Sequence, residues 1–185
     1  MSLESKDLEI VKTKICLVGE AAVGKTSLIR RYVLDMFEDL YIATLGAKVT
    51  KKGLLLPKLD GGNDIKVNLM IWDIMGEKGF RELLKEAYFH GAQGILAVCD
   101  VTRKDTLLEL SNWIDSVTKV TGEVPVRFVA NKIDLKDEAQ FGEDDVRELS
   151  EEIGSSYLMT SARTGDGVEQ IFEEIARLIV KNIER

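Results

Sequence analysis

The sequence predicts an α/β fold: a mostly parallel six-stranded sheet with one antiparallel strand and helices on both faces. Three observations carry that expectation. Apolar strand-like runs alternate with segments of helical period in the order β-α-β-β-α-β-α-β-α-β-α. Gly94–Asp100 (GILAVCD) and Val124–Asn131 (VPVRFVAN) are almost continuously apolar, as strands buried on both faces are. One pair of strands is instead joined by Pro57–Asp64, whose Asp-Gly-Gly-Asn centre signals a hairpin and so an antiparallel partner.

The elements follow in order. Lys14–Gly19 (KICLVG) reads as a buried strand running into a glycine-rich loop. In Lys25–Leu34, Leu28, Ile29, Tyr32 and Val33 share one helical face. Ala47–Leu56 and Ile65–Trp72 are the hairpin strands. Asp105–Val120 has helical spacing at Leu107, Leu108, Trp113, Ile114 and Val117. Asp144–Ile153 is a helix, Tyr157–Ser161 a short strand, and Val168–Ile183 a closing amphipathic helix. With no repeat, low-complexity tract or linker, residues 1–185 are expected to form a single domain, with 1–12 as an N-terminal extension and 14–183 as the core.

Composition narrows the function. The net charge of -7 argues against nucleic-acid binding, and it means that any bound phosphate is held by local geometry. No apolar run reaches the length of a membrane span, and the acidic start MSLESKDLEI is no signal peptide. Cys16 and Cys99 lie in apolar runs and read as reduced core residues of a cytoplasmic protein.

Gly19–Ser27 (GEAAVGKTS) supplies the chemistry. It follows a predicted strand and opens a predicted helix, the context that a phosphate-binding loop requires, and it makes the expected fold a P-loop NTPase fold. Gly19 and Gly24 allow backbone angles at which successive N–H groups converge, and the helix N-terminus adds unpaired donors. Lys25 then places a point charge on the outer phosphates, and Thr26 a hydroxyl on Mg²⁺. The base is read elsewhere. At a strand end, Asn131-Lys132-Ile133-Asp134 offers a carboxylate, Asp134, that can accept from both guanine N1–H and the exocyclic amine; adenine would leave it unpaired. Asp73 and Gly76, in Asp-Ile-Met-Gly, suit a magnesium-bound water and a γ-phosphate approached by backbone.

Taken together, these motifs resemble the small GTPases of the Ras superfamily, most closely the Rab and Ras branches, over almost the whole chain. The resemblance implies GTP/GDP and Mg²⁺ as ligands. It implies that the amides of Ala22, Val23, Gly24, Lys25, Thr26 and Ser27 cradle phosphates, and that Thr26, Thr44 and Asp73 face the metal. Phe37 would pack on the guanine and Tyr41 fold over the phosphates. Asn131, Lys132 and Asp134 would read the base, helped by Ser161, Ala162 and Arg163, with the Ala162 amide meeting the guanine carbonyl. Lys25, Thr44, Gly76 and Glu77 would line the reaction centre. Effectors, exchange factors and GTPase-activating proteins would engage Phe37–Ala47 and Gly76–Tyr88 of a monomer.

The main departure is at Glu77. The sequence reads DIMGE where DTAGQ is usual in that superfamily. An ionised carboxylate only accepts hydrogen bonds, and it adds negative charge beside a γ-phosphate. Two functions are therefore carried forward: a switch with slow or partner-dependent GTP hydrolysis, and a GTP-bound scaffold with little hydrolysis. An adenine-using phosphate-loop enzyme is disfavoured by Asp134. The extra length in Gly53–Asn63 reads as a tolerated insertion. Ser2 and the absence of a C-terminal cysteine predict no lipid anchor in this chain, so membrane association is expected only if a further tail or a partner supplies it.

Overall fold

The computed structural model describes residues 9–38, 43–57, 64–77, 79 and 86–183. Its strands are β1 (Glu9–Val18), β2 (Ala47–Leu56), β3 (Ile65–Ile74), β4 (Gly94–Asp100), β5 (Val126–Asn131) and β6 (Ser156–Met159). Its helices are α1 (Lys25–Leu34), α2 (Lys104–Leu108), α3 (Leu110–Thr121), α4 (Glu143–Glu152) and α5 (Val168–Ile183), with residues 86–89 also helical.

The strands form one sheet in the order β2-β3-β1-β4-β5-β6. All neighbours are parallel except β2 and β3, which pair antiparallel from Ala47↔Ile74 to Leu56↔Ile65. The antiparallel strand and the six-strand count agree with expectation. The turn itself, 58–63, lies outside the described residues.

Side chains alternate across the sheet and so build two cores. Ile15, Leu17, Leu69 and Ile71 face α1 and α5, where Phe172 and Ile175 are fully buried. Cys16, Val18, Ala97 and Cys99 face α3 and α4, with Trp113 at the centre. Both cysteines are buried and free, as expected. Every residue of β4 is buried, which explains its unbroken apolar run.

Element ends differ from the sequence reading where burial is one-sided. β1 starts five residues before Lys14, because Glu9, Ile10 and Lys12 are exposed on the strand and give no apolar run. β3 extends two residues beyond Trp72, through Asp73 and Ile74. The expected helix Asp105–Val120 is split into α2 and α3 at Glu109, although Glu109 keeps helical angles.

β1 sits between β3 and β4, so the chain leaves it to one side and later returns to the other. The loop after β1 therefore opens at the switch point of the sheet, the place where open α/β folds bind ligands.

Tyr32 on α1 stacks on Phe172 on α5 at 4.1 Å between ring centroids, locking the two helices that cover one face. Phe172→Ala empties a fully buried ring site and is expected to cost about 3–5 kcal/mol, read from the shift in a urea unfolding curve at constant slope.

Candidate functional site

The loop between β1 and α1 is held in shape from behind. Ala22 is left-handed with φ 63°, and Gly24 has φ 101°. A Cβ on Gly24 would lie 2.3 Å from Asn131 Nδ2, so only glycine lets the loop pass this close to β5. Asn131 Nδ2 donates to the Val23 carbonyl at 3.0 Å, and Asn131 Oδ1 accepts from the Ala162 amide at 3.1 Å and Thr160 Oγ1 at 3.2 Å. One buried amide thus joins the phosphate-type loop, the end of β5 and the segment after β6. The Ala162 N–H, read from sequence as a donor to a guanine carbonyl, is here directed at Asn131.

Two cations hold the next carbonyls. Lys132 Nζ donates to the Ala22 carbonyl at 2.8 Å, and Arg103 Nη2 to the Ala21 carbonyl at 2.7 Å. Both pair with the buried Asp100: Lys132 at 2.5 Å and Arg103 Nε at 3.6 Å. The other Asp100 oxygen accepts from the Thr102 amide at 2.9 Å and hydroxyl at 2.7 Å. In a peptide plane the C=O and N–H point in opposite directions. Fixing the Ala21 and Ala22 carbonyls therefore aims the Ala22 and Val23 amides the other way. Trp113 Nε1 adds a 2.9 Å bond to Glu20 Oε1 on the same loop.

Beside the loop lies a cavity of about 350 Å³. Ala22, Gly24, Lys25, Thr26 and Ser27 line one wall. Asn131, Lys132, Asp134, Ala162 and Arg163 line a second. Phe37 and Thr44 come from the chain after α1, and Gly76 and Glu77 from the chain after β3. Val23, Asp73 and Ser161 stand behind the lining, and all three are buried. Tyr41 lies outside the described residues, as do parts of the segments Phe37–Ala47 and Gly76–Tyr88. Arg30, Met36, Met75 and Leu135 also line the cavity, and the sequence reading did not include them.

Lys25 is buried, and its ammonium donates to the Gly19 and Glu20 carbonyls at 2.8 Å each. Burial pulls its pKa down to about 8, against the opposing pull of Asp73 and Glu20. Desolvation raises the Asp73 carboxyl above its ordinary range, while the Thr26 hydroxyl and the Lys25 ammonium act the other way. Thr26 Oγ1 is 2.5 Å from Asp73 Oδ2 and 3.1 Å from Thr44 Oγ1. Asp73 Oδ1 is buried and has no hydrogen-bond partner among the described residues. Two hydroxyls and one carboxylate with a spare oxygen form a hard-oxygen set of the kind Mg²⁺ takes when phosphate and water complete its shell. The residues present fit that ion.

Asp134 Oδ1 accepts from Ser161 Oγ at 2.6 Å. Its second oxygen accepts no bond from the described residues, so it is available for a ligand. Arg31 on α1 clamps the adjoining loop through the Ala162 and Arg163 carbonyls, at 2.9 and 2.6 Å.

The two segments that the resemblance marks as switches meet through backbone. The Met75 amide donates to the Gly46 carbonyl at 2.9 Å, continuing the β2–β3 ladder. Gly76 is pressed against the loop: a Cβ there would lie 2.4 Å from the Ala21 nitrogen.

The fold and this loop define a phosphate-loop nucleotide-binding protein. Comparison with known proteins specifies the class: residues 14–181 match the model of the Ras family. Ras-related protein Rab-21 of Geodia cydonium is 36% identical over 172 residues, which is 92% of this chain and 72% of that protein. The Homo sapiens Rab-21 is 33% identical, with 92% of this chain and 73% of that protein covered. Ras-related protein Rab-27B of Homo sapiens is 33% identical, covering 93% of this chain and 81% of that protein. The chain belongs to the Ras family and is a Rab-like small GTPase. Among the described residues, no helix is long and apolar enough to cross a membrane.

Arg103 touches the loop only from behind and does not line the cavity. Arg103→Ala releases one carbonyl of the cradle, and GDP release, followed with a fluorescent GDP analogue, is expected to accelerate about tenfold, the weight of one charge-assisted hydrogen bond. Arg103→Lys should recover part of the loss; unchanged release in the alanine variant would show that the contact holds nothing.

Proposed function

We propose that this protein is a one-domain, monomeric guanine-nucleotide switch of the cytoplasm that hydrolyses GTP slowly. It would report the state of the γ-phosphate through Phe37–Ala47 and Gly76–Tyr88 to effectors, exchange factors and GTPase-activating proteins. The observation that carries the reading is the convergence of Thr26, Thr44 and Asp73 at the mouth of the phosphate loop. Two of these residues lie at the ends of segments that hang from one hairpin ladder, so a ligand seen by one is felt by the other.

The geometry supports the following division of labour. Amides from Ala22 to Ser27 and the N-terminus of α1 donate to the phosphate oxygens, with the Lys25 charge at the outer pair. Thr26, Thr44 and Asp73 would hold Mg²⁺, which would supply charge neutralisation at the phosphates. The Gly76 backbone, free of a side chain, can follow the γ-phosphate. Asp134 binds the guanine N1–H and amine, supported by Ser161, and Phe37 covers the base. Asn131 and Lys132 keep the base-reading and phosphate-holding parts in register.

Glu77 favours a second reading. It stands exposed at the cavity edge, where a water approaching the γ-phosphate would come. As an ionised carboxylate it can take a proton from that water but cannot donate to the phosphate oxygens, and its charge opposes theirs. In the extreme, the protein would remain GTP-bound and act as a scaffold.

Single-turnover hydrolysis separates the two. Glu77→Gln is expected to raise the rate by about tenfold or more, the range of one preorganised donor. Fast wild-type turnover that the substitution leaves unimproved sinks the account of Glu77. A rate indistinguishable from the uncatalysed reaction in both proteins supports the scaffold.

Guanine reading is tested separately. Asp134→Asn is expected to weaken GDP binding about a hundredfold by calorimetry, because two charge-assisted bonds become neutral ones or clashes. The urea midpoint should stay the same, since Asp134 is half-exposed. Unaltered GDP affinity would remove Asp134 from the site.

A further inference from the structure

The end of the sheet farthest from the nucleotide cavity carries an uncovered face. β1 extends beyond the start of β4, which first pairs at Ile15↔Gly94, so β1, β3 and β2 continue alone. On one face of this extension the side chains form three rows, fixed by strand register.

The outermost row is Ile10, Lys66 and Leu55, with Ile10 57% and Leu55 53% exposed. The next is Lys12, Asn68 and Gly53, and the Lys66 Cε lies over Gly53, which confirms the shared face. The third is Lys14, Met70 and Lys51. The Lys14 ammonium is engaged, 3.8 Å above the Trp72 ring and 2.8 Å from the His90 carbonyl. Lys12, Lys51 and Lys66 make no hydrogen bond or ion pair among the described residues.

Lys52 points the other way, toward Tyr32 on α1. The opposite side of this same extension is closed: Ile65, Val67 and Leu56 are buried in the core shared with α5.

Two features make this face unusual. Among the described residues its three rows bear four lysines and no carboxylate, on a chain with 32 acidic and 25 basic residues. It also lies at the foot of a step. Toward β4 the same sheet face is covered by α3, α4 and Phe89, a layer about one helix diameter thick, roughly 10 Å, whereas along the β2 edge it stays open, with Val49 43% exposed. The floor left open measures about 10 Å across three strands and 13 Å along them, the footprint of two to three helical turns.

We propose that this floor is a docking site for an acidic amphipathic helix of a partner protein, laid beside α3 as the missing piece of the helical layer. Its apolar stripe would cover Ile10, Leu55 and Met70, and its flanking carboxylates would meet Lys12, Lys51 and Lys66. A helix fits the step that α3 leaves beside three short strands, whereas a flat anionic membrane, which matches the charge, meets that step on one side; the vesicle arm of the test separates the two. The site is separate from the nucleotide cavity, and the inference does not depend on how GTP is hydrolysed.

The test uses a fluorescein-labelled synthetic helix with a leucine stripe flanked by glutamates, titrated with the full chain by anisotropy. Wild-type protein should bind it more weakly as salt rises. Lys12→Glu/Lys51→Glu/Lys66→Glu should lose about tenfold in affinity, as three partly exposed ion pairs would give. Leu55→Ser should weaken binding without changing any charge. Lys52→Glu, on the opposite face, should bind like wild type, and all variants should keep GDP affinity and melting temperature.

No binding by the wild type, or equal losses from Lys52→Glu and the triple variant, overturns the proposal. So does a triple variant that keeps the peptide but loses vesicles of equal parts phosphatidylserine and phosphatidylcholine, which would assign the face to a membrane.

Discussion

A carboxylate buried in a chain that already carries seven excess negative charges is costly unless every lone pair is used, and at Asp100 they are. One oxygen closes the turn to Thr102, and the other gathers Lys132 and Arg103. The two cations then lean on consecutive carbonyls of the loop after β1. The cradle is thus shaped from behind, by side chains bonded to its carbonyls. Its strain is visible at both ends of the Lys132 contact, where Ala22 and Lys132, neither of them glycine, hold φ of 63° and 70°. Such angles persist only where the surroundings leave no alternative.

Around this charge the other parts fall into an order of rigidity. Asn131 ties the loop to β5 and to the segment after β6, and Arg31 ties that segment to α1. The base end is therefore assembled from three elements that cannot move independently. The end lined by Thr44, Gly76 and Glu77 is different. These three enter from chain that leaves the sheet, joined to it by the bond from Met75 to Gly46.

Much of this was legible in the sequence, for identifiable reasons. Buried parallel strands announce themselves as apolar runs, so β4 was placed to the residue. Gly24, Lys25, Thr26 and Asp134 were legible because their chemistry needs particular residue types at fixed spacing. The first half of β1 was not, since one face of it is open and lysine-bearing, which breaks the apolar run. Arg103 and Asp100 were missed because their function lies in tertiary contact with backbone carbonyls. No local pattern marks a cation that serves a loop 82 residues away. Trp113, read as a core position of a helix, is one, yet its indole N–H also reaches Glu20.

The β2–β3 ladder has a consequence for insertions. Its first pair, Ala47↔Ile74, sits beside Gly46 and Met75, and its tenth, Leu56↔Ile65, lies about 30 Å away. Register is counted from the cavity end, where Thr44 and Asp73 must stay within 3.4 Å of each other. Residues added to the hairpin therefore accumulate at the distal tip, like paper fed from the far end of a clamped ruler. The chain can lengthen there through evolution while the spacing of the Thr44 and Asp73 oxygens does not drift.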